Sequence, residues 1–249
     1  MRPFLTAYLH NYLLSSYACK VPSGMETGYL FLLAIAPAVF WLWYFYNKDR
    51  YEPEPLSWIL LVYILGIAVT IPVALIEGVM GEILPEFLIV VMVAPVVEEL
   101  GKYLVVRKTV YESGEFDEPV DGIIYAAAAG LGFATLENVV YVFSALDTSL
   151  VLALQTGLVR ALLSVPGHVL FSAMWGYSLG KARFISEEKR PVVIALGLIF
   201  AMASHALFNL LLYDAIGFAV LVLIVVPLSW FSVQKKIDEA LLSSVYRPK

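Results

Sequence analysis

A chain of 249 residues that is 61% hydrophobic and only 15% charged has too few polar side chains for an ordinary soluble domain and falls among polytopic membrane proteins. Its formal charge of −5 reflects acidic residues clustered beside basic ones in loops, and no basic stripe with interleaved aromatics supports nucleic-acid binding. The single cysteine, Cys19, excludes an internal disulfide and any cysteine-built metal site.

Residues 1–24 mix Arg2, His10, Asn11 and Lys20 with aromatics. An interrupted apolar run without a small-x-small cleavage site argues against a signal peptide. An N-terminal extension folded as an interfacial amphipathic helix is the better reading, with a start at Met25 as the alternative. Seven apolar segments follow, at 27–46, 56–76, 84–106, 120–146, 150–180, 191–213 and 215–233. The fifth, about 31 residues or roughly 46 Å as a helix, contains Pro166-Gly167, so it is one kinked helix or two spans.

Basic residues decide between these. Lys48 and Arg50, Arg107 and Lys108, the group Lys181, Arg183, Lys189 and Arg190, and the group Lys235, Lys236, Arg247 and Lys249 alternate with loops at 77–83, 147–149 and 214 that carry neither Lys nor Arg. Seven spans place every basic loop on one side, which the positive-inside rule makes cytoplasmic, with the N-terminus outside and the C-terminus inside. The expected fold is an all-α membrane protein, a bundle of about seven transmembrane helices in the cell membrane. Residues 25–236 form its membrane domain and 237–249 a cytoplasmic tail. No internal repeat is present, so an inverted-repeat transporter has no sequence support.

Glu98, Glu99, Glu137, His168 and His205 lie inside these apolar runs. A charged side chain at the centre of a membrane helix costs roughly 2.5–3.5 kcal/mol, and three carboxylates on the order of 8–10 kcal/mol, unless they face one another or water. Glu98 and Lys102, at i and i+4, share a helix face and can pair. Adjacent Glu99 points about 100° away, which suggests one carboxylate held by lysine and the other aimed at a cavity. A structural polar patch between helices is the plainer reading of the Glu98–Lys102 pair, but it leaves Glu99 unexplained. Ala126–Gly130 and Gly132 let a second helix approach Glu137 and Asn138 closely, and a helix-gluing Glu–Asn pair is the alternative there. His168 follows the Pro166-Gly167 breaker on a stripe with Arg160, Ser164 and Ser172, while His205 and Asn209 share one face of the sixth span.

A carboxylate beside a histidine, sequestered from bulk water, can activate water as a nucleophile, and a second histidine with an asparagine can donate to an oxyanion. These ingredients match acyl hydrolysis, with peptide bonds as the substrate. No G-x-S-x-G elbow, H-E-x-x-H motif or intramembrane aspartate pair is present. The reading calls for no cofactor. A metal-dependent variant stays open, because two His and two or three Glu are competent zinc ligands, although their scatter over four helices has no diagnostic spacing.

Taken in order, these residues resemble the PrsW family of intramembrane proteases. The matching stretches are Asp49-Arg50-Tyr51-Glu52-Pro53-Glu54-Pro55, Glu98-Glu99-x-x-Lys102, the run from Phe116 through Asp121 and Tyr125 to Glu137-Asn138, Pro166-x-His168 and His205-x-x-x-Asn209. The resemblance covers about residues 28–235. It implies kinship with the CAAX prenyl endopeptidases, the bacteriocin-immunity proteins and a scaffold subunit of γ-secretase. It also implies that Glu98 or Glu99 activates water with His168, that His205 and Asn209 stabilise the oxyanion, and that Glu137 is a further acid. Lys102, Asn138 and Arg160 support them. The implied partners are a membrane-anchored protein substrate, of the anti-sigma-factor kind in the family, and the lipid bilayer. Lys102 stands where the CAAX branch has arginine, which argues against a prenylated substrate. A non-catalytic membrane scaffold or chaperone-like protein of the same fold is the second reading, and a proton- or cation-coupled transporter the third.

Overall fold

The computed structural model describes residues 24–248, so the interfacial helix expected before Gly24 lies outside the described residues. Among those residues the secondary structure is helical throughout, with no strand. Seven long helices run in chain order: α1 (Gly24–Tyr46), α2 (Leu56–Gly81), α3 (86–109), α4 (Asp121–Leu146), α5 (Leu150–Arg183), α6 (Arg190–Leu211) and α7 (Ala215–Leu242). All but α3 are long and apolar enough to cross a membrane. α3 is of comparable length but carries Glu98, Glu99 and Lys102 in its middle.

Proline placement shapes three of these helices. α3, α5 and α7 each contain one π-helical turn, at Ile89–Val93, Arg160–Ser164 and Leu221–Val225. Each turn ends two residues before a proline: Pro95, Pro166 and Pro227. Proline lacks an N–H and its ring crowds the carbonyl four residues earlier, so widening the preceding turn keeps the helix going around the defect. The fifth apolar segment is therefore one helix with a register shift, not two spans.

α4 is the axis of the bundle. Every residue from Asp121 to Thr135 is buried, which a membrane helix achieves only with neighbours on all sides. Small side chains permit it: a Cβ at Gly132 would collide with the Tyr63 carbonyl oxygen of α2, and one at Gly122 with the Gly176 carbonyl oxygen of α5. Backbone-to-backbone approach of this kind maximises dispersion where lipid offers no hydrophobic drive to helix association. α6 packs on α5 and α3, and α7 on α5. The outer faces are apolar, with Ile64 and Leu75 of α2, Leu196 and Ile199 of α6, and Leu223 and Phe231 of α7 all exposed, the pattern of a lipid-facing surface.

Two helices outrun the apolar segments. α2 continues past residue 76 to Gly81, so Glu77 sits in a helix and not in a loop. α7 continues past Val233 to Leu242, burying Ile237, Ala240 and Leu241 on one side. Its charges at Lys235 and Lys236 mark where the apolar composition stops, while the 3.6-residue periodicity of the buried side carries the helix onward.

Replacing Gly132 by leucine is expected to cost about 1–3 kcal/mol through overpacking, a fall in Tm on the order of 2–10 °C in detergent. The same change at Gly28, where a Cβ meets nothing, is the control and should leave Tm unchanged.

Candidate active site

Lys102 is fully buried, and its ammonium has three N–H bonds to satisfy. Nζ lies 3.1 Å from Glu98 Oε2, 2.9 Å from Glu99 Oε1 and 3.0 Å from His168 Nδ1. The ring of Phe133 lies against it, 4.3 Å to the centroid. Lysine at i+3 from one glutamate and i+4 from the other gathers both. The 100° between neighbouring side chains does not separate them, because four methylenes span the difference. The expectation that lysine would hold one carboxylate and release the other is corrected: it holds both, and the distinction between them lies elsewhere.

That distinction is in their remaining partners. Glu99 Oε2 accepts from Trp175 Nε1 at 3.0 Å and Ser172 Oγ at 3.3 Å, and its Oε1 lies 3.2 Å from His205 Nδ1. With Lys102 added, four donors from α3, α5 and α6 enclose Glu99. Glu98 has Lys102 as its near partner, with His168 Nδ1 at 3.7 Å, and it lines a cavity that Glu99 does not reach.

Since the ammonium donates to His168 Nδ1, that atom is the acceptor and Nε2 carries the proton. Nε2 lies 2.7 Å from Glu137 Oε2. Glu137 is also paired with Arg160 at 2.9 Å. Arg160 Nε donates to Asn138 Oδ1 at 2.6 Å, and Asn138 Nδ2 to the Ala34 carbonyl of α1 at 3.2 Å. A continuous chain thus runs from Lys102 through His168, Glu137 and Arg160 to α1. His205 stacks on Phe171 with centroids 4.8 Å apart and meets the His168 ring edge-on at 5.3 Å.

The cavity has a volume of about 710 Å³, within the range of small-ligand sites. Glu98, Glu137, Arg160, His168, His205 and Asn209 all line it. It extends past Glu77, Tyr141 and Tyr213 toward the end of the bundle that holds loops 82–85, 147–149 and 212–214. Of the site residues read from the sequence, Asn209 is placed differently from the oxyanion role implied for it: its amide donates to the Val90 carbonyl at 2.8 Å, inside the π-turn of α3. Ser172 and Trp175 were not singled out as partners of Glu99. Glu77, whose buried Oε1 has no hydrogen-bond partner, was read as a loop residue. Its signal was the helix phase of the apolar run before it.

Residues 54–232 match the family model described as PrsW family intramembrane metalloprotease. Relatives named Protease PrsW include one from Geobacillus kaustophilus, 40% identical over 63% of this chain and 68% of its own length. Another, from Clostridioides difficile, is 34% identical over 79% and 84%. A third, from Bacillus subtilis, is 33% identical over 81% and 91%. No solved structure matches. The chain belongs to the PrsW family of intramembrane proteases.

The family description raises the question of a metal. Glu98, Glu99, His168 and His205 each offer a ligand atom, all within 4.8 Å of one another, and the donor types suit zinc. Three of those four residues already bond the Lys102 ammonium. A divalent ion on the same donors would compete with a fully buried cation for the same oxygens. With Lys102 in that position, this PrsW site does not fit a metal ion; the cation at its centre is the lysine.

Lys102→Met should therefore destabilise the protein by about 3–5 kcal/mol, the cost of leaving buried charge unpaired, seen as a lowered Tm in detergent. Adding Glu98→Gln and Glu99→Gln to it should restore much of the loss, since the charges then leave together.

Proposed function

We propose that this PrsW-family member is an intramembrane endopeptidase that hydrolyses a peptide bond of a membrane-anchored protein, with Glu98 as the base that activates water. The observation that carries this reading is the asymmetry of the glutamate pair: Glu99 is enclosed by four donors, whereas Glu98 borders the cavity. A general base must reach the proton it takes, and only Glu98 has that access. Glu99 orients Lys102 and His205.

Glu98 takes a proton from water, and the hydroxide left behind adds to the carbonyl carbon, so the net charge of the site is unchanged and the negative charge moves to the oxyanion. His168, held at Nδ1 by Lys102, donates through Nε2 to Glu137 and orders the cavity wall beside Glu98, which itself returns the proton to the leaving amine. His205 is anchored through Nδ1 to Glu99. His205 also lines the cavity, which places its Nε2 edge where it can meet the oxyanion of the tetrahedral intermediate. Asn209 holds the π-turn of α3 and thereby the start of the segment that bears Glu98. The scaffold reading explains none of this asymmetry.

The positive-inside rule supports an outside N-terminus and a cytoplasmic C-terminus. In that orientation the cavity extends toward the extracytoplasmic end, where loops 82–85, 147–149 and 212–214 lack Lys and Arg. A substrate anchored by one span would then be cut near its outer end.

The test is cleavage of a membrane-anchored reporter by purified protein in detergent. Glu98→Gln should abolish cleavage, by at least about 10²-fold on the scale of a lost general base, while Tm stays close to wild type. Glu99→Gln should lower both activity and Tm. Wild-type cleavage should persist in a strong chelator. Chelator-sensitive cleavage restored by zinc would overturn the lysine-centred site, and a fully active Glu98→Gln would overturn the assignment of the base. Cysteine reporters placed at Ser149 and Glu187, in a Cys19→Ser background, should react with a membrane-impermeant thiol reagent from opposite sides of oriented vesicles.

A further inference from the structure

A second group of carboxylates lies at the other end of the bundle, where the loop before α2, the loop before α4 and the turn after α7 meet. Asp49 is 5% exposed, Glu54 1%, and Glu118 and Asp121 0%. Asp121 and Glu137 sit sixteen residues apart on the same helix, roughly 24 Å along its axis, so this group is separate from the active site. No ion pair formed among the described residues includes any of the four.

Each carboxylate is half satisfied. Glu54 N–H donates to Asp49 Oδ2 at 3.2 Å, and Tyr125 O–H to Glu54 Oε2. Asp117 and Glu118 N–H both donate to Asp121 Oδ2, at 2.8 and 2.6 Å, and Ser244 Oγ donates to Glu118 Oε1. Of the second oxygens, Asp49 Oδ1 and Glu118 Oε2 are buried with no hydrogen-bond partner, while the Glu54 and Asp121 side chains have no donor for theirs except each other. Buried carboxylate oxygens without a partner are costly. One oxygen from each of Asp49, Glu54 and Asp121 lies within 4.8 Å of the others, close enough for one ion to touch all three. The donors are all oxygen, with neither histidine nor sulfur in the group, which selects hard cations over zinc.

We propose that Asp49, Glu54 and Asp121 bind a divalent hard cation, Ca²⁺ or Mg²⁺, that clamps the loop before α2 to the start of α4. Glu118 sits beside the ion, and the C-terminal turn closes over it through Ser244 on Glu118 and Tyr246 on Asp117 at 2.6 Å. Water completes the coordination. The surroundings are acidic or neutral: Glu52, Asp117, Glu118 and the Tyr125 hydroxyl face the three ligands.

The experiment is thermal unfolding of the full chain in detergent, stripped with a chelator and titrated with CaCl₂, MgCl₂ or MnCl₂, with bound Mn²⁺ counted by electron paramagnetic resonance. At a hundredfold excess over Kd, Tm should rise by about 5–10 °C. Asp49→Asn and Glu54→Gln should each weaken binding at least tenfold. Both should also raise the metal-free Tm, since each removes a buried repelling group. Glu98→Gln, in the active site, should keep the full response. The proposal is overturned by the absence of any response to millimolar cation, by an equal response in Asp49→Asn, or by the same rise with KCl at matched ionic strength.

Discussion

The structure turns on one fully buried ammonium. Lys102 spends its three N–H bonds on Glu98, Glu99 and His168. Taking an ion pair out of water is repaid only when geometry is good and the remaining polar atoms are also satisfied. Here the satisfaction propagates. Lys102 sets the tautomer of His168, which turns its other nitrogen to Glu137. Glu137 holds Arg160, and Arg160 reaches α1 through Asn138. The partners are spread over α1, α3, α4 and α5, so the polar network ties these four helices together.

The same network explains why two adjacent glutamates need not be equivalent. Full enclosure makes Glu99 a poor base, because its lone pairs are already committed to four donors. It also makes Glu99 a good anchor, since a carboxylate held from three helices fixes the lysine and both histidines relative to one another. Glu98 keeps the access to the cavity. On the proposed reading the enclosed groups stay fixed while Glu98 acts, and preorganised groups that do not move during reaction are the chief source of electrostatic catalysis.

Much of this was readable from the residues. The apolar segments foretold the seven helices, the distribution of Lys and Arg chose seven spans over eight, and the cost of burying Glu98, Glu99, Glu137, His168 and His205 foretold that they would face one another. What sequence periodicity could not convey was rotation about each helix axis. An ideal phase drawn through Arg160, Ser164 and His168 ignores the π-turn at Arg160–Ser164, which shifts everything after it. The π-turn at Ile89–Val93 exposes the Val90 carbonyl to Asn209, a partner that spacing alone does not suggest. Pro166 is a visible signal of a helix defect, but the widened turn lies before it, and Pro95 and Pro227 mark two more such turns. Glu77 and the end of α7 were lost for another reason: apolar composition reports where hydrocarbon ends, and helices do not stop there.

α4 links the two acidic centres. Its N-terminal Asp121 belongs to the carboxylate group under the C-terminal turn, and its Glu137 to the active site. Between them every residue through Thr135 is buried, with backbones close enough that Gly122 and Gly132 admit no side chain. A helix packed that tightly has no room to bend or slide without breaking contact on both α2 and α5, and packed interiors transmit displacement rather than absorb it. A displacement at the start of α4 would have to be taken up by α5 and α2, the helices that Gly122 and Gly132 meet backbone to backbone.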